Sequence, residues 1–130
     1  TRAVETYQTL AGQRPDAFLP DLAMSLNNQS NRLADLGRRE DALAAITRAV
    51  EIREALAGQR PDAFLPDLAG SLNNQSGCLA DLGRREDALA AITRAVETYQ
   101  TLAGQRPDMF EGNLEKALQL RELLRHLPEA

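Results

Sequence analysis

At 130 residues the chain is long enough for one compact domain, and its 15 basic against 19 acidic residues leave a net charge of -4, which argues against a nucleic-acid binder or a surface that clings to anionic lipid. No apolar run approaches membrane-spanning length and no signal-peptide pattern opens the chain, so no membrane partner is expected. Aromatic residues make up 4% and tryptophan is absent, which suits close helix packing by Ala and Leu and suits a sheet poorly; one cysteine, Cys78, excludes an intrachain disulfide and fits a reducing, cytoplasmic setting.

The chain repeats itself. Shifted by 46 positions, residues 1–46 lie over 47–92 and differ from them only at 6, 7, 8, 9, 24, 31 and 32, and residues 93–108 repeat 1–16 without a change. The centre of each copy is the stretch from Ser25 to Ile46 and from Ser71 to Ile92, two apolar stripes at helical spacing broken by Gly-Arg-Arg. The expected architecture is an all-α solenoid of about six helices arranged as antiparallel hairpins, with the core shared between successive units.

In chain order, residues 1–12 match the second half of a later helix, so the chain is expected to begin within a partial helix B and its parent protein to continue N-terminally. Gly12 and Pro15 mark the stop. Repeat one covers 16–58. Its helix A, with Leu22, Leu26, Ser30, Leu33 and Leu36 on one face, opens either at Asp16 with a distorted first turn or as a short 3₁₀ turn before Pro20, and a nearly continuous helix with a small bend is favoured. Gly37 ends it. Helix B starts around Arg39, places Glu40 and Asp41 at the positive end of its dipole, turns Ala42, Leu43, Ile46, Ala49, Val50, Arg53 and Leu56 inward, and stops at Gly58 and Pro61. Repeat two, 62–104, follows the same plan and stops at Gly104 and Pro107. Residues 108–127 then make a capping helix whose Leu114, Leu118, Leu120, Leu123, Leu124 and Leu127 form an apolar face, charged residues covering much of the rest; Pro128 ends it.

Counted from Gly37 as the turn glycine, Leu26 and Leu33 take two large positions of helix A, and Ala42, Ile46 and Ala49 take a small, large, small pattern on helix B; the second unit has Leu72, Leu79, Ala88, Ile92 and Ala95. This pattern resembles the tetratricopeptide repeat, and the LNN, EIRE and Pro-Asp motifs are especially similar to the longer repeats of kinesin light chain and their bacterial relatives. A HEAT-like array matches the 46-residue period on length alone, but the alanines flanking Ile46 after a turn glycine favour the tetratricopeptide pattern. Gln29 and Gln75 stand where the family has Leu, so their amides are expected to be at least partly buried.

No catalytic constellation emerges, and no cofactor or metal is expected. His126 is the one histidine, on the terminal helix, and Cys78 has no second ligand at metal spacing and is expected at a partly exposed position because Arg32 takes its place in the first unit. The GQRPD linkers lack the context of a phosphate loop. The resemblance implies a protein- or peptide-binding scaffold that uses the concave wall of its A helices. The candidate groove residues are Met24, Asn27, Asn28, Asn31 and Asp35 in unit one, and Asn73, Asn74 and Asp81, with Gly70 and Gly77 between them, in unit two. Asn is a poor helix former, so pairs of it in mid-helix require either a ligand, such as an extended peptide backbone, or a polar network that holds the stack. An alternative function is a regulatory helical domain of a multidomain signalling ATPase or protease. The truncated first helix leaves Ala3, Val4, Tyr7 and Leu10 short of a neighbour, which predicts self-association.

Overall fold

The computed structural model describes residues 2–127, except for the side chains of Pro15 and Asp16; the expected caps at Asp16 and Pro128 lie outside the described groups. Six helices follow one another: α1 (Arg2–Gln13), α2 (Pro15–Asp35), α3 (Arg39–Gln59), α4 (Pro61–Asp81), α5 (Arg85–Gln105) and α6 (Pro107–Arg125). No strand occurs among the described residues.

The junctions between units are made by proline rather than by the glycines expected to stop the helices. Helices α1, α3 and α5 run through Gly12, Gly58 and Gly104 to the following Gln, and none of these glycines has a positive φ. The break falls at one residue, Arg14, Arg60 or Arg106, each held at φ near -138° and ψ near 77°. A proline ring excludes the helical region for the residue before it, so Pro15, Pro61 and Pro107 end one helix and open the next. The Arg60 carbonyl shows the economy of the joint, accepting from the N–H groups of both Ala63 and Phe64 at 3.1 Å. Pro20 and Pro66 lie inside α2 and α4, which continue past them as single helices.

Within each unit the turn glycine is required. Gly37 and Gly83 have φ of 77° and 76°. The Gly37 N–H donates to the Ala34 carbonyl at 3.0 Å and the Arg38 N–H to the Leu33 carbonyl at 2.8 Å, the paired bonds that satisfy a helix C-terminus around a left-handed residue.

The helices form two layers. Asn74 on α4 donates to Asn27 on α2, and Arg94 on α5 pairs with Glu54 on α3 at 2.7 Å, so α2, α4 and α6 stand together and α1, α3 and α5 behind them. The small, large, small pattern of helix B has a direct packing reason: Ile46, Ala49, Ala88, Ile92 and Ala95 are fully enclosed, with Leu26 and Leu72 beside them. Leu36, placed on that stripe by the sequence, is 73% exposed because the turn carries it off the helix face. Val4, expected to lack a neighbour, is buried against α2 and α3.

Helix α6 continues the 46-residue register with different side chains. Ala117 stands at the place of Ser71, Leu120 at that of Asn74, Leu124 at that of Cys78, and Glu115 at that of Ala69. Its six leucines do not share one buried face: Leu124 is buried and Leu114 and Leu120 half-buried, while Leu118, Leu123 and Leu127 are exposed. The Arg85 side chain donates to the carbonyls of Leu124 and Arg125 at 3.1 and 2.6 Å and so holds the last turn. Among the described residues no helix is long and apolar enough to cross a membrane.

Candidate functional site

Successive residues turn by about 100° on a helix, so positions 24, 28, 31 and 35 share the face of α2 turned away from α3. The equivalent rows are Gly70, Asn74, Gly77 and Asp81 on α4, and Lys116, Leu120, Leu123 and Leu127 on α6. Met24, Asn28, Asn31, Asp35 and Asp81 are exposed, and Gly70, Asn74 and Gly77 half-exposed. Asn27, grouped with them by sequence, reaches into the joint between α2 and α4, Asn73 holds the same register position on α4 toward α6, and the two joints differ.

The joint between α2 and α4 is a closed polar network. Asn27 Oδ1 accepts from Ser71 Oγ and Asn74 Nδ2, both at 3.3 Å, and Arg53, reaching over from α3, donates to Ser71 Oγ at 2.7 Å and to the Asp67 carbonyl at 3.3 Å. Lower in the joint Ser30 Oγ donates to the Ala42 carbonyl at 2.8 Å and lies 3.7 Å from Cys78 Sγ. Burial pushes the Cys78 thiol above its ordinary range and holds the Arg53 guanidinium below its own. Asn27 and Asn74 are therefore bonded to each other across the stack.

The joint between α4 and α6 lacks those partners. Tyr99 replaces Arg53 on α5, Ala117 replaces Ser71 and Leu120 replaces Asn74. Asn73, the counterpart of Asn27, and the Tyr99 hydroxyl make no side-chain hydrogen bond among the described residues. Tyr99 is only 8% exposed, yet among the described residues every fully enclosed polar side-chain atom has a partner, so its hydroxyl reaches the surface. It does so beside Gly70, 4.0 Å from where a Cβ on that glycine would stand. Burial raises the phenol above its ordinary range, leaving it a protonated donor. The copies differ at both positions, Met24 and Arg53 in one and Gly70 and Tyr99 in the other, and a Cβ on Gly70 would make only ordinary contact with the hydroxyl.

Open clefts flank this face, and Asn28 borders one of them. One of about 310 Å³ between α1 and α2 is lined by Arg2, Ala3, Ser25, Asn28, Gln29 and Arg32, and one of about 470 Å³ opens among Leu65, Pro66, Met109 and Phe110 at the proline end of α4 and α6. On the open A-helix face Gly70 and Gly77 carry no side chain, whereas Met24 and Asn31 on α2 and Lys116 and Leu123 on α6 do at the equivalent positions, so the strip over α4 is the low part of that face and suits a chain segment better than a small molecule. Residues 22–62 match the profile of the tetratricopeptide repeat, and residues 68–108 carry the same text with changes at seven positions. Residues 22–62 are a tetratricopeptide repeat. A search of curated proteins found no match.

Tetratricopeptide repeats mediate protein–protein interaction, and this chain carries two copies of the pattern with a third A helix after them. Sequence reasoning found the asparagine rows but missed Leu120, Leu123 and Tyr99 as neighbours of the same furrow. The signal was available for the leucines, because extending the tetratricopeptide register by one more 46-residue step places them on the open face. His126 is exposed and its Nε2 lies 2.9 Å from Glu122 Oε1, a hydrogen bond on the surface of α6.

Proposed function

We propose that this tetratricopeptide chain is a binding scaffold that takes an extended segment of a partner protein along the open face of α2, α4 and α6. The observation that carries this reading is the division of labour among the asparagines. Asn27 and Asn74 are engaged in the stack, whereas Asn28, Asn31 and Asn73 make no side-chain hydrogen bond among the described residues although Asn is unfavourable in mid-helix. An amide offers both donor and acceptor, which fits the backbone of an extended chain. Two units offer a small surface, so affinity is on the order of micromolar or weaker.

The test is selection of a displayed random-peptide library on the immobilised chain, followed by titration of the enriched peptide. Changing Asn28, Asn31 and Asn73 together to Ala abolishes binding and leaves helical content unchanged. Failure to enrich any peptide, or full binding by the triple variant, overturns the reading.

The cleft between α1 and α2 favours self-association as well. Ala3 is exposed there, whereas its counterparts Ala49 and Ala95 are completely enclosed by their own A helix, so the cleft is shaped as a seat for a helix.

A further inference from the structure

We propose that the furrow over α4 is the specificity-determining part of the binding face, and that it takes an extended peptide carrying a basic residue with a large apolar residue about two positions away. This rests on the reading of the open face as a peptide site and adds which peptide it selects.

The floor comes first. Gly70 and Gly77 are two of the seven positions at which the copies differ, and each removes a side chain, Met24 and Asn31 in unit one, from the exposed row. A Cβ on Gly77 would meet nothing within 4 Å, so packing does not demand glycine there. Two glycines weaken a helix interior, and what they provide in return is close approach of another backbone. The furrow spans the eleven steps from Gly70 to Asp81, about 16 Å of helix and hence about five residues of extended chain.

The walls supply the chemistry. At the Gly70 end the Tyr99 hydroxyl surfaces without a partner because Ala117 stands where Ser71 serves the first joint, so it donates to a peptide carbonyl lying over the glycine. Beside Gly77 the α6 wall offers half-buried Leu120 and Leu123, the latter 66% exposed, where the first joint has amides. At the far end Asp81 on α4 and Asp35 on α2 are exposed and form no ion pair among the described residues. Lys116 stands at the opposite end. The furrow is thus acidic at one end, apolar in the middle and basic at the other, which orients a ligand whose own basic residue meets Asp81 and whose apolar side chain, one helical turn back, covers Leu123. The free hydroxyl and amides select an extended backbone over a helix, whose backbone groups are already bonded.

The experiment uses the 130-residue chain and immobilised positional-scanning hexapeptide mixtures. Mixtures with Arg or Lys fixed at one position and Leu, Ile, Met or Phe two positions away bind best. With the best single peptide, Tyr99→Phe weakens binding about fivefold, the size of one hydrogen bond, at unchanged thermal midpoint. Gly77→Asn, which restores the residue of unit one, weakens it by at least about tenfold, and Asp81→Asn removes the preference for a basic residue. If Asn31→Ala weakens binding but Tyr99→Phe, Gly77→Asn and Asp81→Asn do not, the furrow is not the selective part, and the broader reading of the open face stands. If the bound peptide gives a helical difference spectrum in circular dichroism, the extended ligand is wrong. If no mixture binds, both readings fall.

Discussion

Arg53 and Tyr99 occupy the same position of two nearly identical helices and do different work because of the one residue they face. Ser71 gives the guanidinium an acceptor at 2.7 Å, whereas Ala117 leaves the phenol without one. Arg53→Leu keeps much of the apolar stem and removes the donor, so Ser71 and Asn27 lose the group that closes their network. The expected loss is about 1 kcal/mol in urea melts, at the low end for a charge-assisted bond because the group is partly exposed. Cys78 offers a pH probe of the same joint. Its thiol is raised by burial, so its neutral form stabilises the fold at and below neutral pH, and that contribution fades as pH rises through the raised value. Relative to Cys78→Ser, the wild-type chain therefore loses stability as pH rises above the ordinary thiol value of about 8.5, seen in thermal midpoints at increasing pH.

Among the helices, the two kinds of glycine predict opposite outcomes. Gly37 has φ of 77°, so Gly37→Ala strains the turn between α2 and α3 and lowers stability by about 1 kcal/mol. Gly77 is helical with open space at its Cβ, so Gly77→Ala raises stability by roughly 0.5–1 kcal/mol while narrowing the furrow. Chemical denaturation of the two single variants checks both signs. The glutamines at the family's leucine position are half-buried, as their spacing implies, but they are not equivalent. Gln75 Nε2 donates to Thr47 Oγ1 at 3.3 Å, whereas Gln29 makes no side-chain hydrogen bond among the described residues. Gln29→Leu is expected to add about 0.5–1 kcal/mol and Gln75→Leu close to nothing, because the second exchanges a bond for apolar area. Equal gains in urea melts would mean that the Thr47 bond contributes nothing.

For the whole molecule, the two ends are unlike. Glu115 stands on α6 where Ala23 and Ala69 are fully enclosed, so an exposed carboxylate takes the place of a buried methyl group. The α1 end presents a cleft with an exposed alanine instead. Association is therefore expected to run through α1 and α2, and Ala3→Glu is expected to abolish it. Sedimentation velocity at increasing concentration reads the outcome, and a strictly monomeric wild-type chain at millimolar concentration would remove the idea.

The register of 46, the six helices and the inward stripes of helix B were legible in the sequence because exact repetition and helical periodicity are one-dimensional signals. The helix ends were legible too, once the proline rather than the glycine is given the decision, since the ring of Pro61 acts on Arg60 through local sterics alone. What the sequence could not decide was which of two polar roles each asparagine has. Asn27 and Asn73 carry the same neighbours in the chain, SLNNQS in both copies. Their roles diverge because hydrogen bonds are made across the joint, to Ser71 and Asn74 in one case and toward Ala117 and Leu120 in the other, at separations of more than forty residues. Only the packed helices bring those partners together.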